Sequence, residues 1–351
     1  MNLGPVEKIA EAVLYEGYML YPYRPSSVKN QQRWNFGVLG PPGWCARQEG
    51  SESATMQTEC LVRAGAETRL TVKIRFLQIV ERTIGKLRVA GHDIPDGSEP
   101  EFDPVDRLEV AGRVFRPWRE AVEREHVFAA LDPRSLVSLS PARFAFPAGQ
   151  QFEYLRDETG QAVGVIVRKW EALHGEAEFG VQACAEDLLK VMVRVNNRTG
   201  FDLPETANRE DSLLFSLVSA HTILGVEDGE FISLLEPPEG LELAAAQCCN
   251  LGTWPVLTDD QAETMLSSPI VLYDHPQIAP ESVGNLFDAT EVDEILSLRI
   301  LTLSDEEKRE VRQSDDRARE ILERTENLPP EQFMKLHGVL RGLTPVNEEA
   351  S

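Results

Sequence analysis

From Thr68 to Phe76 the chain alternates between apolar and polar residues. Leu70, Val72, Ile74 and Phe76 fall on one side, Thr71, Lys73 and Arg75 on the other. Successive side chains of a strand point to opposite faces, so this period of two predicts a half-buried strand. The pattern returns at Val163, Val165 and Val167, and again where Leu189, Val191, Val193 and Val195 alternate with Lys190, Met192, Arg194 and Asn196. Turn chemistry separates these runs. Asp157-Glu158-Thr159-Gly160 between two strand-like stretches predicts a hairpin, and "RFAFPAG" at 143–149 leads into it. Several short strands with regular turns point to a β-sandwich or a partial barrel.

Other stretches carry weaker signals. Residues 91–106, rich in Gly, Pro and acid, read as an exposed loop, and residues 119–130 fit a short helix. Residues 211–224 read either as strand or as a helix packed on the sheet. Asp228-Gly229 is placed to turn the following run back on itself, and Pro237-Pro238 closes it.

Helical signals sit at the two ends. Val6, Ile9, Ala10, Val13 and Leu14 make one apolar helical face, with Pro5 suited to a first turn. Asp288 with Glu291 and Ser304 with Glu307 form capping boxes, predicting helices over about 289–302 and 305–326. The second has a sparse apolar face of Val311, Ala318, Ile321 and Leu322, with charges paired at i,i+4, such as Asp305–Arg309. Such a face suits docking better than burial. Pro329-Pro330 opens a last helix through Leu340. The expected architecture is α+β: a β-rich N-terminal part, a β-sandwich-like middle and a helical C-terminal tail. The expected divisions are 1–135, 136–260 and 261–351.

Composition narrows the function. Lys and Arg number 35 against 58 Asp and Glu, a net charge of −23. A surface that acidic repels phosphate, so nucleic acid is not an expected partner. No apolar run approaches the ~18 residues of a membrane helix and no secretory leader is read, so a cytoplasmic protein is expected. Five scattered cysteines, Cys45, Cys60, Cys184, Cys248 and Cys249, suit reduced thiols better than a disulfide frame. Asn197-Arg198-Thr199 has the form of a glycosylation acceptor, which is without meaning in a chain that is not secreted.

The candidate chemistry is thin. Tyr273-Asp274-His275 invites a metal or catalytic reading. Neighbouring side chains on an extended chain point opposite ways, however, and Pro276 follows directly, so a loop rim is expected, with Asp274 accepting backbone hydrogen bonds. Cys248-Cys249 could supply thiolates, but vicinal cysteines bridge badly and the bland reading is small buried residues before a turn. His221, inside "SLVSAHTILGV", reads as a core histidine bonded to backbone. Tyr21, Tyr23, Arg24 and Trp34 lie in "YPYRPSSVKNQQRW", a mixture of aromatics and cations that could stack on a base or hold an anion, and in so acidic a chain is expected rather to anchor the first helix or meet a protein partner. With Val311, Ile321 and Leu322 they are the interface candidates. No phosphate loop, dinucleotide fingerprint or nucleophile elbow is present, and no cofactor is indicated.

Four segments together carry a resemblance: "VLYEGYMLYPYRPSSVKNQQRWNFGVL", "SLVSAHTILGVEDGEFISLLEPPE", "NLGTWPVL" with "MLSSPIVLYDHPQIAPESVGNLFDATEVDEILSLRILTLSDEEK", and "DDRAREILERTENLPPEQFMKLHG". The chain resembles an uncharacterised bacterial family encoded beside the subunits and maturation proteins of [NiFe]-hydrogenases, notably the high-affinity actinobacterial type. The resemblance implies a setting, hydrogenase assembly or operation, and assigns no catalytic residue. The expected function is a non-catalytic accessory, scaffold or chaperone-like protein whose partner is a hydrogenase subunit or maturation protein. The alternatives are a metal-carrying or hydrolytic enzyme built on Tyr273-Asp274-His275 and Cys248-Cys249, and a structural subunit of an unrelated complex.

Overall fold

The computed structural model describes residues 3–14, 34–91, 99–138, 141–202, 204 and 206–276, with scattered positions from 304 to 327. The protein is β-rich α+β, built on one antiparallel sheet of 11 strands. Its organiser is β1 (Thr55–Gly91), 37 residues long, which contains the alternating run read from the sequence. The buried row Leu70, Val72, Ile74, Phe76 faces the main core. Strands β5 (Trp118–Leu131), β8 (Ala162–Trp170), β10 (Leu188–Asn197) and β11 (Val218–Ile232) all pair with β1 along its length. The main path of the sheet continues from β10 to β9 (Leu173–Ala183) and then β6 (Ala142–Phe146). In the other direction it runs from β11 to β13 (Thr264–Ser268) and β12 (Trp254–Leu257). Strands from all three expected regions therefore share one sheet.

The predicted hairpin forms. β7 (Gly149–Arg156) pairs with β8 across the turn at Asp157, whose Oδ1 accepts from the backbone N–H groups of Thr159 and Gln161. Gly160 closes the turn at a φ of 83°, in the left-handed region that suits glycine. β6 precedes β7 and pairs with β9, so 142–156 and 162–177 form the two arms of one bent hairpin.

Three local readings need correction. Residues 119–130 are strand, not helix. Their helix-forming composition yields to twelve residues of pairing with β1, reinforced by cross-strand ion pairs Arg75–Glu123 at 3.1 Å and Arg82–Glu120 at 2.8 Å. Asp228-Gly229 does not reverse the chain. β11 continues through it, and β1 bulges instead, with 65–68 looped out between the pairs Ala64–Gly229 and Arg69–Glu227. Thr68 stabilises the bulge: its hydroxyl donates to the Asp228 carbonyl and accepts the Gly65 N–H at 2.8 Å. Within 91–106, β2 (Phe102–Pro104) adds to β1 at Gly85–Leu87.

The ambiguous 211–224 resolves by division. Asn208 and Asp211 form a capping box that opens the short helix α3 (Arg209–Leu213), and β11 begins at Val218. The N-terminal helix α1 (Gly4–Leu14) lies on the sheet as its pattern predicts: Val6, Ala10 and Val13 pack on Ile223, Val256 and Leu266. α2 (Pro42–Cys45) and α4 (Glu242–Ala246) are single turns.

The tail departs from one continuous helix over 305–326. Lys308 Nζ lies 3.2 Å from Glu326 Oε1, and Arg319 Nε donates to the Arg312 carbonyl at 3.0 Å. A straight helix would hold residues 308 and 326 about 27 Å apart. The two ends therefore lie side by side. The helices expected at 289–302 and after Pro330 fall outside the described residues. Among the described residues, no helix is long and apolar enough to cross a membrane.

Candidate functional site

The two ends of the sheet are treated differently, and the difference answers the question posed by Tyr273-Asp274-His275. β12 is an end strand of the sheet's main path, and this tripeptide covers its free side. Asp274 Oδ1 accepts the Leu257 N–H at 2.8 Å, and the His275 N–H donates to the Leu257 carbonyl at 2.7 Å. Asp274 Oδ2 accepts the Ser233 hydroxyl at 2.5 Å, and Ser233 Oγ in turn accepts the N–H groups of Leu235 and Glu236. One carboxylate thus ties the edge strand to the end of β11. The His275 ring is partly exposed, 3.9 Å from Asp260, and Tyr273 is 88% exposed. The loop-rim reading holds: Asp274 caps a strand edge.

Cys248 and Cys249 take no part in this. Cys249 is exposed, its N–H donating to Glu59 Oε2 and its carbonyl accepting from Gln57 on β1. Cys248 is half-buried, and burial, then the charge of Glu59, push its thiol up to about 11. It remains protonated at neutral pH, the opposite of a poised ligand or nucleophile. Cys60 is buried and its thiol is pushed higher still by desolvation. All five cysteines are free. Among the described residues, no three His, Cys, Asp or Glu side chains are grouped to hold a metal ion.

Two interface candidates are core. Trp34 is 4% exposed and packs with Leu14, Leu77 and Val218, so it anchors the first helix. Leu322 is 1% exposed. Tyr21, Tyr23, Arg24, Val311 and Ile321 lie outside the described residues.

The opposite end of the sheet holds a feature that no motif announced. β6 pairs with β9 on one side, and its other edge makes no backbone hydrogen bond among the described residues. Over the paired β6 and β9, on the side away from that edge, lies an open groove of about 620 Å³, lined by Arg143, Phe144 and Ala145 of β6, His174, Gly175 and Glu176 of β9, and Arg198. Glu176 is the pivot. Its side chain is only 7% exposed, yet it meets two arginines: Arg143 Nε at 3.2 Å and Arg198, through Nε and Nη2, at 3.0 and 2.6 Å. The hydrogen bond from Arg198, then that from Arg143, hold its carboxyl below the usual glutamate range, so it stays ionised.

Local structure fixes each member. Arg143 and Glu176 are register partners, hence on the same face. Phe144 lies on Gly175, where a Cβ would come within 2.1 Å of its ring, so the glycine is what lets the two strands carry a buried aromatic here. Arg198 is aimed by its neighbours. Asn197 is 1% exposed, with its amide nitrogen donating to the Leu39 and Phe215 carbonyls and its Oδ1 accepting the Thr199 N–H. The tripeptide that looked like a glycosylation acceptor ends β10, with Asn197 and Thr199 buried and Arg198 exposed between them.

The signal for this site was faint. His174, Glu176 and Glu178 do alternate with apolar residues, marking an outward polar row. Nothing in the sequence said that Arg143, 33 residues earlier, would meet it. Compared with family models and with curated proteins, the chain matches none.

Proposed function

We propose that the protein is a non-catalytic accessory that docks a partner chain along the open edge of β6. The observation that carries this reading is the contrast between the two ends of the sheet: a carboxylate and a backbone N–H cover β12, while among the described residues no backbone group pairs with the outer edge of β6. An uncovered edge is a template for an extended segment, which adds as a further strand through main-chain hydrogen bonds. The resemblance supplies the setting: a [NiFe]-hydrogenase subunit or maturation protein as partner, in the cytoplasm. The net charge of −23 supports a protein partner over nucleic acid.

The test is reconstitution. The purified chain is mixed with each separately purified subunit and maturation protein of the host's [NiFe]-hydrogenase, and the mixtures are run by size exclusion with light scattering. A stoichiometric complex with one of them is expected. Separate elution from every one of them would remove the hydrogenase assignment.

A further inference from the structure

The groove over β6 and β9 has a chemistry of its own. Arg143 is 84% exposed and spends only Nε on Glu176. Arg198 is 52% exposed and spends Nε and Nη2 on Glu176. A single buried carboxylate therefore sets the planes of two guanidinium groups whose remaining N–H edges are unspent. Arginines on a surface are ordinarily floppy, and the ordering of their side chains is a cost met at binding. Here much of it is met in the free protein.

The charge count also favours an anion. Arg143, Arg194 and Arg198 face Glu176 and Glu178, with Arg194 3.3 Å from Glu178. Three cations against two anions leave one positive charge, in a chain whose total is −23. The fork geometry of guanidinium matches a carboxylate, which accepts two parallel N–H bonds.

The position decides what kind of carboxylate. Arg143 and Ala145 share the outer face of β6, and Ala145 leaves space beside the arginine. A segment added along β6 would place every second side chain on that face, about 7 Å apart. We infer that Arg143, its guanidinium aimed by Glu176, forms a carboxylate-receiving fork, which selects an extended partner segment with an acidic side chain facing outward beside β6. This inference rests on the docking reading above and names the chemistry of the docked segment.

The probe is an acetylated, amidated, dye-labelled peptide, Thr-Val-Glu-Val-Glu-Val-Thr, with its Gln-for-Glu counterpart. Binding to the full chain is followed by fluorescence anisotropy at low salt. The glutamate peptide is expected to bind at least tenfold more tightly than the glutamine one, with the preference shrinking as salt screens the exposed fork. Arg143→Gln should remove the preference, and Arg143→Lys, which keeps the charge but not the fork, should restore only part of it. Arg143 is exposed, so these variants fold, which circular dichroism verifies. Equal binding of the two peptides, or a preference untouched by Arg143→Gln, would overturn the inference. The two readings fail separately. A hydrogenase complex that forms undiminished with the Arg143→Gln chain sinks the fork and leaves docking in place. A glutamate preference without any hydrogenase complex does the reverse, sparing the fork and removing the assigned partner.

Discussion

Lowering the pH from 7 to 5 is expected to remove about 2 kcal/mol of folding stability through His221 alone. This histidine is fully buried on β11, opposite Arg75. A carbonyl can only accept, so Nδ1 carries the proton and donates to Ser219 O at 2.9 Å, while Nε2 is buried without a partner. Desolvation, with a smaller push from the Arg75 charge, drops its pKa from 6.5 to about 4. The unfolded chain therefore binds a proton near pH 6.5 that the folded chain refuses until about pH 4. Stability is full above the unfolded value, falls as pH drops below it, and stops falling from this cause below pH 4. Burial lowers the pKa of His126 as well, which adds to the loss in the same direction. Denaturant titrations at pH 7, 6 and 5 check it. In His221→Asn, whose amide can still donate to Ser219, most of the loss should vanish. A wild-type chain equally stable at pH 7 and 5 would contradict the assignment of a neutral buried ring.

Replacing Asp274 by alanine should cost about 2 kcal/mol, although the residue lies in a loop and its neighbour Tyr273 is almost fully exposed. The change removes the acceptor of the Leu257 N–H and of the Ser233 hydroxyl. Leu257 is 7% exposed, so its N–H is left with little water to replace the bond. Asp274→Asn keeps an acceptor for Leu257 and should recover about half. Urea midpoints of the three proteins report the effect. Loss of stability in the alanine variant with no difference between Asn and Ala would mean that the charge, not the hydrogen bond to β12, is what matters. A variant as stable as wild type would show that the edge needs no cap.

The fold was legible wherever burial imposed a period. The alternation over 68–76, the Asp157–Gly160 turn and the α1 face were each readable, because a sheet or helix with one covered side segregates its residues. Residues 119–130 were not. Glu120, Glu123, Arg124 and Glu125 read as helix formers, and only the pairing with β1, which sets Lys73, Arg75 and Arg82 against the glutamates, makes a strand of them. The bulge at 65–68 was hidden for a similar reason: the looped-out residues are a property of two strands in register, and Asp228-Gly229 looked like a turn when read alone. At the site, the behaviour of Asp274 followed from the prolines around it. The Arg143–Glu176–Arg198 group did not, since its members come together only when β6, β9 and the end of β10 are laid side by side.

Whether β6 offers its edge to a partner can be read residue by residue from amide hydrogen exchange. The complex with a hydrogenase subunit, or with the glutamate peptide, is compared with the free chain. The amides of Ala142–Phe146 that face away from β9 should exchange readily in the free protein and become protected on binding, with β12 unchanged under its Asp274 cap. Protection that appears elsewhere while Ala142–Phe146 exchanges as before would contradict it.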